Sequence, residues 1–295
     1  MQTLTLAPRG PFSLELAAGF GFGPEAGRPR PTEALLRLAF CRDDLRGHAG
    51  LVLRQDDEGV VRGELHGDGD PTEVERQVAR ILSLDHDGEA WLEVGERDHV
   101  IGQLQRRHHG LRPVLFHSPY EAAAWAIISA RRPARQAAVT RSLIAGHLGR
   151  TFELEGEPLA AFPTPRRLLE VEPMDGLPAV KAQRLRVIAH AALEGRLDPG
   201  RLRQLDPDAA LTELQELPGI GPFYSMLVLV RASGHADLLP EGERRLLAAV
   251  ARFYGFDQPP SPERFSAIAE AWRPFRTWAS VLLRYAGAQE RRGAS

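Results

Sequence analysis

Two hydrophobic periods divide the chain. Thr3-Leu4-Thr5-Leu6, Phe12-Ser13-Leu14-Glu15-Leu16 and Val60 to Leu65 alternate every second residue between clusters of Gly, Pro and Asp, so they predict strands. Thr72 to Leu84 breaks this pattern: Val74, Val78, Ile81 and Leu82 recur at helical spacing. From Ser118 onward the pattern is helical, with Ala123, Ile127 and Ile128 in a first long helix. Leu168-Leu169, Val187-Ile188, Leu211 to Leu214 and Leu227 to Val230 mark others. Pro133, Pro163, Pro165, Pro178 and Pro207 fall at predicted helix starts or breaks. The expected fold class is α+β: an antiparallel sheet with one helix over residues 1–105, an all-α domain over 106–290, and a frayed tail at 291–295.

Within the helical part, Leu217-Pro218-Gly219-Ile220-Gly221-Pro222 stands out. Glycines lack Cβ and admit positive φ or a close neighbour. Pro222 suits the first position of a new helix, which should run to Ser233 and end at Gly234. The free N–H groups at such a start, with the positive end of the helix dipole, form an anion site, and a nucleic-acid phosphate is a natural occupant. After a short loop, a second helix starts near Glu243, a carboxylate at a helix N-terminus.

The net charge of −2 looks wrong for a nucleic-acid binder until the chain is divided. Residues 1–100 hold 11 Arg against 19 Asp and Glu, net −8. Residues 101–295 hold 26 Lys and Arg against 20 acids, net +6. The basic excess lies with the glycine hairpin. Nearly all of it is arginine, Lys181 being the single lysine. A lone cysteine, Cys41, excludes internal disulfides and a four-cysteine iron–sulfur site. Apolar runs such as Met226 to Val230 are too short to span a bilayer and no charged-then-apolar leader is present, so a cytoplasmic protein is expected. His108-His109 falls in an arginine-rich linker without nearby ligands, so no transition-metal site is expected. Asp85-His86-Asp87 reads as a solvated turn.

These motifs resemble the helix-hairpin-helix DNA glycosylase superfamily, most closely its bacterial 3-methyladenine DNA glycosylase II branch. The hairpin is similar to L-P-G-I-G-P-W-T-A. Leu239-Pro240-Glu241-Gly242-Glu243 overlays F-P-x-x-D, with the family spacing of 24 residues from Gly219. Ser118-Pro119-Tyr120-Glu121 through Ile128, Gly176 to Arg186, and Trp272-Arg273-Pro274-Phe275-Arg276 resemble further segments, in family order, beyond about residue 70.

The resemblance implies a small β-rich (TBP-like) domain before the helical one. It also implies a nucleoid-associated bacterial enzyme, acting as a monomer on double-stranded DNA with damaged bases. Glu243 takes the position of the catalytic Asp, one methylene longer, with Glu241 as the fallback acid. Gly219, Ile220 and Gly221 are implied DNA contacts. Arg131, where the family carries its wedge, is another. Phe223, Tyr224, Trp272 and Trp278 are candidates for an aromatic base pocket, each with a competing reading as core. Phe223 stands where strand-cutting relatives carry a lysine, so a monofunctional enzyme is expected, with no cofactor beyond a monovalent or hard cation at the hairpin carbonyls. The alternative is a catalytically silent relative that binds damaged DNA, because Glu replaces Asp and the wedge pattern differs.

Overall fold

The computed structural model describes residues 2–20, 35–240 and 242–293. Strands β1 (Gln2–Leu6), β2 (Leu35–Cys41), β3 (His48–Gln55) and β4 (Val61–His66) form one antiparallel sheet in the order β1-β4-β3-β2. Leu4 lies opposite Gly63, and Leu51 lies between Leu38 and Leu65. A Cβ on Gly63 would come within 2.7 Å of Leu4, so this glycine lets the leucine cross the strand.

Between β1 and β2, the run expected as a strand at Phe12 to Leu16 is instead a short helix, α1 (Leu14–Ala18). Ser13 caps it by accepting from the Leu16 N–H at 3.2 Å. Five alternating residues are too few to outweigh a serine cap.

One face of the sheet packs on α2 (Pro71–Ile81), where Val74, Val78 and Ile81 join Leu4, Phe40, Leu51, Leu53 and Val61 in a core. This is the helix that the 3.6-residue repeat predicts.

Two further helices, α3 (Gly88–Arg97) and α4 (His99–Arg107), were not evident from periodicity. Asp87 and Asp98 cap them, and at ten and nine residues each spans under three turns. They do not belong with the sheet: Trp91, Val94, Ile101 and Leu104 share a core with Trp272, Leu246 and Leu282. The boundary expected at residue 105 therefore cuts α4, and the stretch read as a linker at His108-His109 directly follows that helix.

The helices α5 (Pro119–Ser129), α6 (Ala134–Leu148), α7 (Pro165–Leu168), α8 (Ala179–Leu193), α9 (Pro199–Gln204), α10 (Pro207–Gln215) and α11 (Pro222–Ala232) build a second body around Tyr120, Ile127, Leu185, Leu214 and Val228. It is not all-α. A hairpin of β5 (Arg150–Leu154) and β6 (Glu157–Ala161) interrupts it, and Phe152 and Leu154 cover the other face of the sheet against Leu35, Ala39 and Val52. The five-residue strands alternate too briefly to register in a helical stretch.

Finally α12 (Arg244–Phe253), α13 (Pro262–Ala269), a 3₁₀ turn at Glu270–Trp272 and α14 (Arg276–Gly293) complete the core that holds α3 and α4. Residues 291–293, expected as part of a frayed tail, continue α14, while 294–295 lie outside the described residues.

Candidate active site and DNA-binding edge

The hairpin between α10 and α11 folds around two buried anchors. Leu217 and Ile220 sit in the helical core, and the Ile220 N–H donates to the Leu217 carbonyl at 2.9 Å. Ile220 thus contributes its backbone to the surface while its side chain holds the turn down.

The two glycines differ. Gly219 has φ +95°, and a Cβ there would lie 2.9 Å from Ile127 Cδ1 and 3.1 Å from Arg184. Gly221 is in extended backbone at φ −96°, ψ −175°, and a Cβ would meet nothing within 4 Å. Both glycines admit positive φ, and only Gly219 takes it. The open space over Gly221 is what an approaching phosphate needs. Gly221 is the N-cap of α11 and no side chain caps this helix, so its first N–H groups are left for an external acceptor.

A basic rim surrounds this turn. Arg184 packs against Gly219, and Lys181 lies close enough to Arg132 and Arg184 to feel the charge of both. The turn joining α5 to α6 lies alongside: the Ser129 hydroxyl is 3.4 Å from the Tyr224 hydroxyl at the start of α11. Arg131 in that turn is exposed and has φ +57°, a conformation unusual for a residue with a side chain. Phe223 is 65% exposed, with its ring 5.3 Å from that of half-buried Tyr224. Among the aromatic candidates these two sit at the hairpin.

The other two do not. Trp272 is fully buried, and its indole N–H donates to Asp98 Oδ2 at 2.9 Å. Trp278 packs edge-on against Trp91, with the Arg112 guanidinium 5.7 Å from its ring. Both belong to the core of α3, α4, α12 and α14, which corrects their assignment to a base pocket. Buried aromatic area makes them core residues, and the Asp98 bond satisfies the one polar atom of Trp272.

From α11 the chain reaches the carboxylate through a loop that straddles both helical cores. Leu238 packs on the first and Leu239 on the second. Asp237 fixes the loop to the start of α14, accepting from Arg276 Nε at 2.9 Å and pairing with Arg273 at 3.0 Å. The Leu238 N–H donates to Thr277 Oγ1 at 3.0 Å.

Glu243 follows as the N-cap of α12. Its carboxylate accepts from the Leu246 N–H at 2.9 Å and the Arg245 N–H at 3.3 Å. Arg284 of α14 pairs with Oε2 at 2.6 Å, the two side chains being 40% and 21% exposed. Glu241, the fallback acid, lies outside the described residues. Nothing in the sequence pattern pointed to Arg284, because the pairing comes from the packing of α14 on α12. Nor did the pattern point to the Asp237 clamp, although both of its arginines fall in the Trp272-to-Arg276 segment.

Chemically, a carboxylate held from three directions at a helix start can stabilise a positive charge. Among the described residues no group of three His, Cys, Asp or Glu is placed to hold a metal ion. No described helix is long and apolar enough to cross a membrane.

No family model matches the chain. It is 20% identical over 215 residues to a DNA-3-methyladenine glycosylase of Bacillus subtilis, covering 72% of this chain and 71% of that one. It is 31% identical over 161 residues to DNA-3-methyladenine glycosylase 2 of Escherichia coli, spanning 50% of this chain and 52% of the relative. In three dimensions it is similar to a 3-methyladenine DNA glycosylase of Archaeoglobus fulgidus, with a TM-score of 0.77, 24% identity and 98% of each chain covered. A Clostridium acetobutylicum 8-oxoguanine glycosylase/lyase bound to double-stranded DNA matches with a TM-score of 0.64 at 17% identity, over 83% of this chain and 85% of that one. With the uncapped glycine hairpin and the carboxylate 24 residues beyond Gly219, these likenesses place the chain in the helix-hairpin-helix DNA glycosylase superfamily.

Proposed function

We propose that the protein is a monofunctional DNA glycosylase of base excision repair, in the 3-methyladenine DNA glycosylase II branch, releasing alkylated purines such as 3-methyladenine from double-stranded DNA. The observation that carries this reading is Glu243, fixed at the start of α12 at the spacing the hairpin sets.

The N-glycosidic bond is out of reach inside the duplex, so the nucleotide must be flipped out. The Gly221 edge and the neighbouring guanidinium groups of Arg184 and Arg132 grip the backbone without reading sequence. Arg131 is the candidate to fill the gap left by the flipped base. An electron-poor alkylated purine suits the faces of Phe223 and Tyr224. As the bond breaks, positive charge grows on the sugar and the Glu243 carboxylate opposes it. An alkylated purine that carries its positive charge in the ground state leaves neutral, so its release asks no proton of Glu243.

Strand cutting needs a free amine. Phe223 offers none, and the Lys181 amine donates to two main-chain carbonyls. Main-chain carbonyls suit a monovalent or hard cation, so we read any ion at the hairpin as one held by its carbonyl oxygens. No other cofactor is needed. We read the sheet with α2 as the TBP-like N-terminal domain and the helices as the glycosylase domain, working as a monomer in the bacterial cytoplasm at the nucleoid.

Incubating the purified protein with methylated duplex DNA tests this. Free alkylpurine should appear while the strand stays intact until alkali is added, and borohydride should trap no protein–DNA adduct. DNA binding without base release would instead support a silent lesion-binding protein, and a trapped adduct would mark a lyase.

A further inference from the structure

The last carbonyls of a helix lack intrahelical donors. At the end of α5, Ile128 O and Ala130 O both accept from the Lys181 ammonium, at 2.8 and 2.9 Å. A lysine there also meets the negative end of the helix dipole. Arg132 secures the next part of the turn: its N–H donates to Ser129 O at 3.0 Å, and its guanidinium donates to the Gly176 carbonyl. The Ser129 hydroxyl ties the same turn to Tyr224 on the hairpin helix. Of residues 129–132 Arg131 alone is exposed, and its backbone is left-handed. Such a conformation persists only where its surroundings over-determine it.

We propose that Lys181 is a positioning residue for base extrusion: by holding the carbonyls of Ile128 and Ala130 it presets the turn that presents Arg131 to the duplex beside the hairpin. The inference rests on the glycosylase reading of the site. Lys181 is half-buried. Burial, then Arg132 and Arg184, push its pKa down, as expected of a cation held by neutral carbonyls in a basic rim. A surface lysine of the same rim that only touched phosphate would need no such seat.

Lys181→Met and Lys181→Arg, made in the full chain, separate the two roles. In Lys181→Met, amide exchange over residues 126–135 should quicken at least about fivefold as the turn opens locally. Extrusion, followed by a fluorescent base analogue beside the target, and single-turnover base release should fall about tenfold from misplacement of the wedge. The salt dependence of binding to undamaged duplex should keep its slope, whereas loss of a phosphate contact would lower it by about 1. Lys181→Arg, which keeps charge and donors, should restore most of the extrusion. Unchanged extrusion in a folded Lys181→Met variant, or a slope lower by about 1 with amide exchange unchanged, would overturn the proposal. Failure of the wild type to release any base would instead strike the glycosylase reading, while the exchange measurement still decides whether Lys181 sets the turn.

Discussion

Glu121 and Glu243 are the same side chain in nearly the same local setting, since each lies at the opening of a helix and each meets an arginine. Glu121 is 4% exposed, and its carboxylate accepts from the Cys41 N–H at 3.2 Å, Arg141 at 2.8 Å and the His117 ring at 3.3 Å. Burial pushes its carboxyl up, but His117 and Arg141 outweigh burial and hold it at about 2. It bridges β2, α5 and α6. Glu243 has its helix N–H bonds and one ion pair, to an arginine that is itself 40% exposed. Ion pairs of that kind are worth little and exchange readily. The difference lies in which partners can be displaced: Glu121 is committed to the fold, whereas Arg284 can give way to a cation arriving at Glu243.

Breaking the buried member should have the largest effect on stability. Glu121→Gln strands the buried Arg141 and should lower unfolding free energy by about 3 to 5 kcal/mol in denaturant titrations, with base release per folded molecule unchanged. The wild type should show the same dependence on acid. A folded pKa below the unfolded value means the contribution of Glu121 is complete above pH ~4.5 and is lost as pH falls toward 2, on the order of 3 kcal/mol in all. Denaturant midpoints from pH 6 to pH 3 should therefore fall more steeply in the wild type than in Glu121→Gln.

The hairpin gives a smaller and sharper contrast. Gly219→Ala forces a side chain into φ +95° against Ile127, which should cost about 1 to 2 kcal/mol and distort the turn. Gly221→Ala has room, so its melting temperature should stay at the wild-type value. Its affinity for any duplex should drop about tenfold, the worth of one charge-assisted hydrogen bond of ~1.5 kcal/mol. Equal DNA affinity in Gly221→Ala and wild type would remove that edge from the interface.

What could be read from the residues divides along the same lines. The hairpin and its helix were legible because the chemistry is local: Gly219, Gly221 and Pro222 each answer to a backbone demand within six residues. The position of Glu243 was legible from spacing, and its capping role from its place before an apolar run. Its partner was not, because Arg284 lies 41 residues further on and arrives only when α14 packs. Trp272 and Trp278 were misplaced because an aromatic at helical spacing looks alike in a core and in a pocket. Only the Asp98 bond and full burial tell them apart. Helices α3 and α4 were hidden by their length, and Asp87, which read as part of a solvated turn, is the cap of α3. His86, expected in a solvated turn, bonds the Gly234 carbonyl 148 residues away at 2.9 Å, a contact no local pattern encodes.

The most direct measurement is single-turnover base release from methylated duplex DNA by wild type and Glu243→Gln, with DNA affinity measured on both. The amide keeps the size and much of the helix cap but loses the charge. Base release should fall on the order of 100-fold or more, with stability lowered by no more than about 1 kcal/mol and affinity for undamaged duplex unchanged. Equal release by the two proteins would remove Glu243 from the chemistry and contradict the assignment of this carboxylate as the catalytic group.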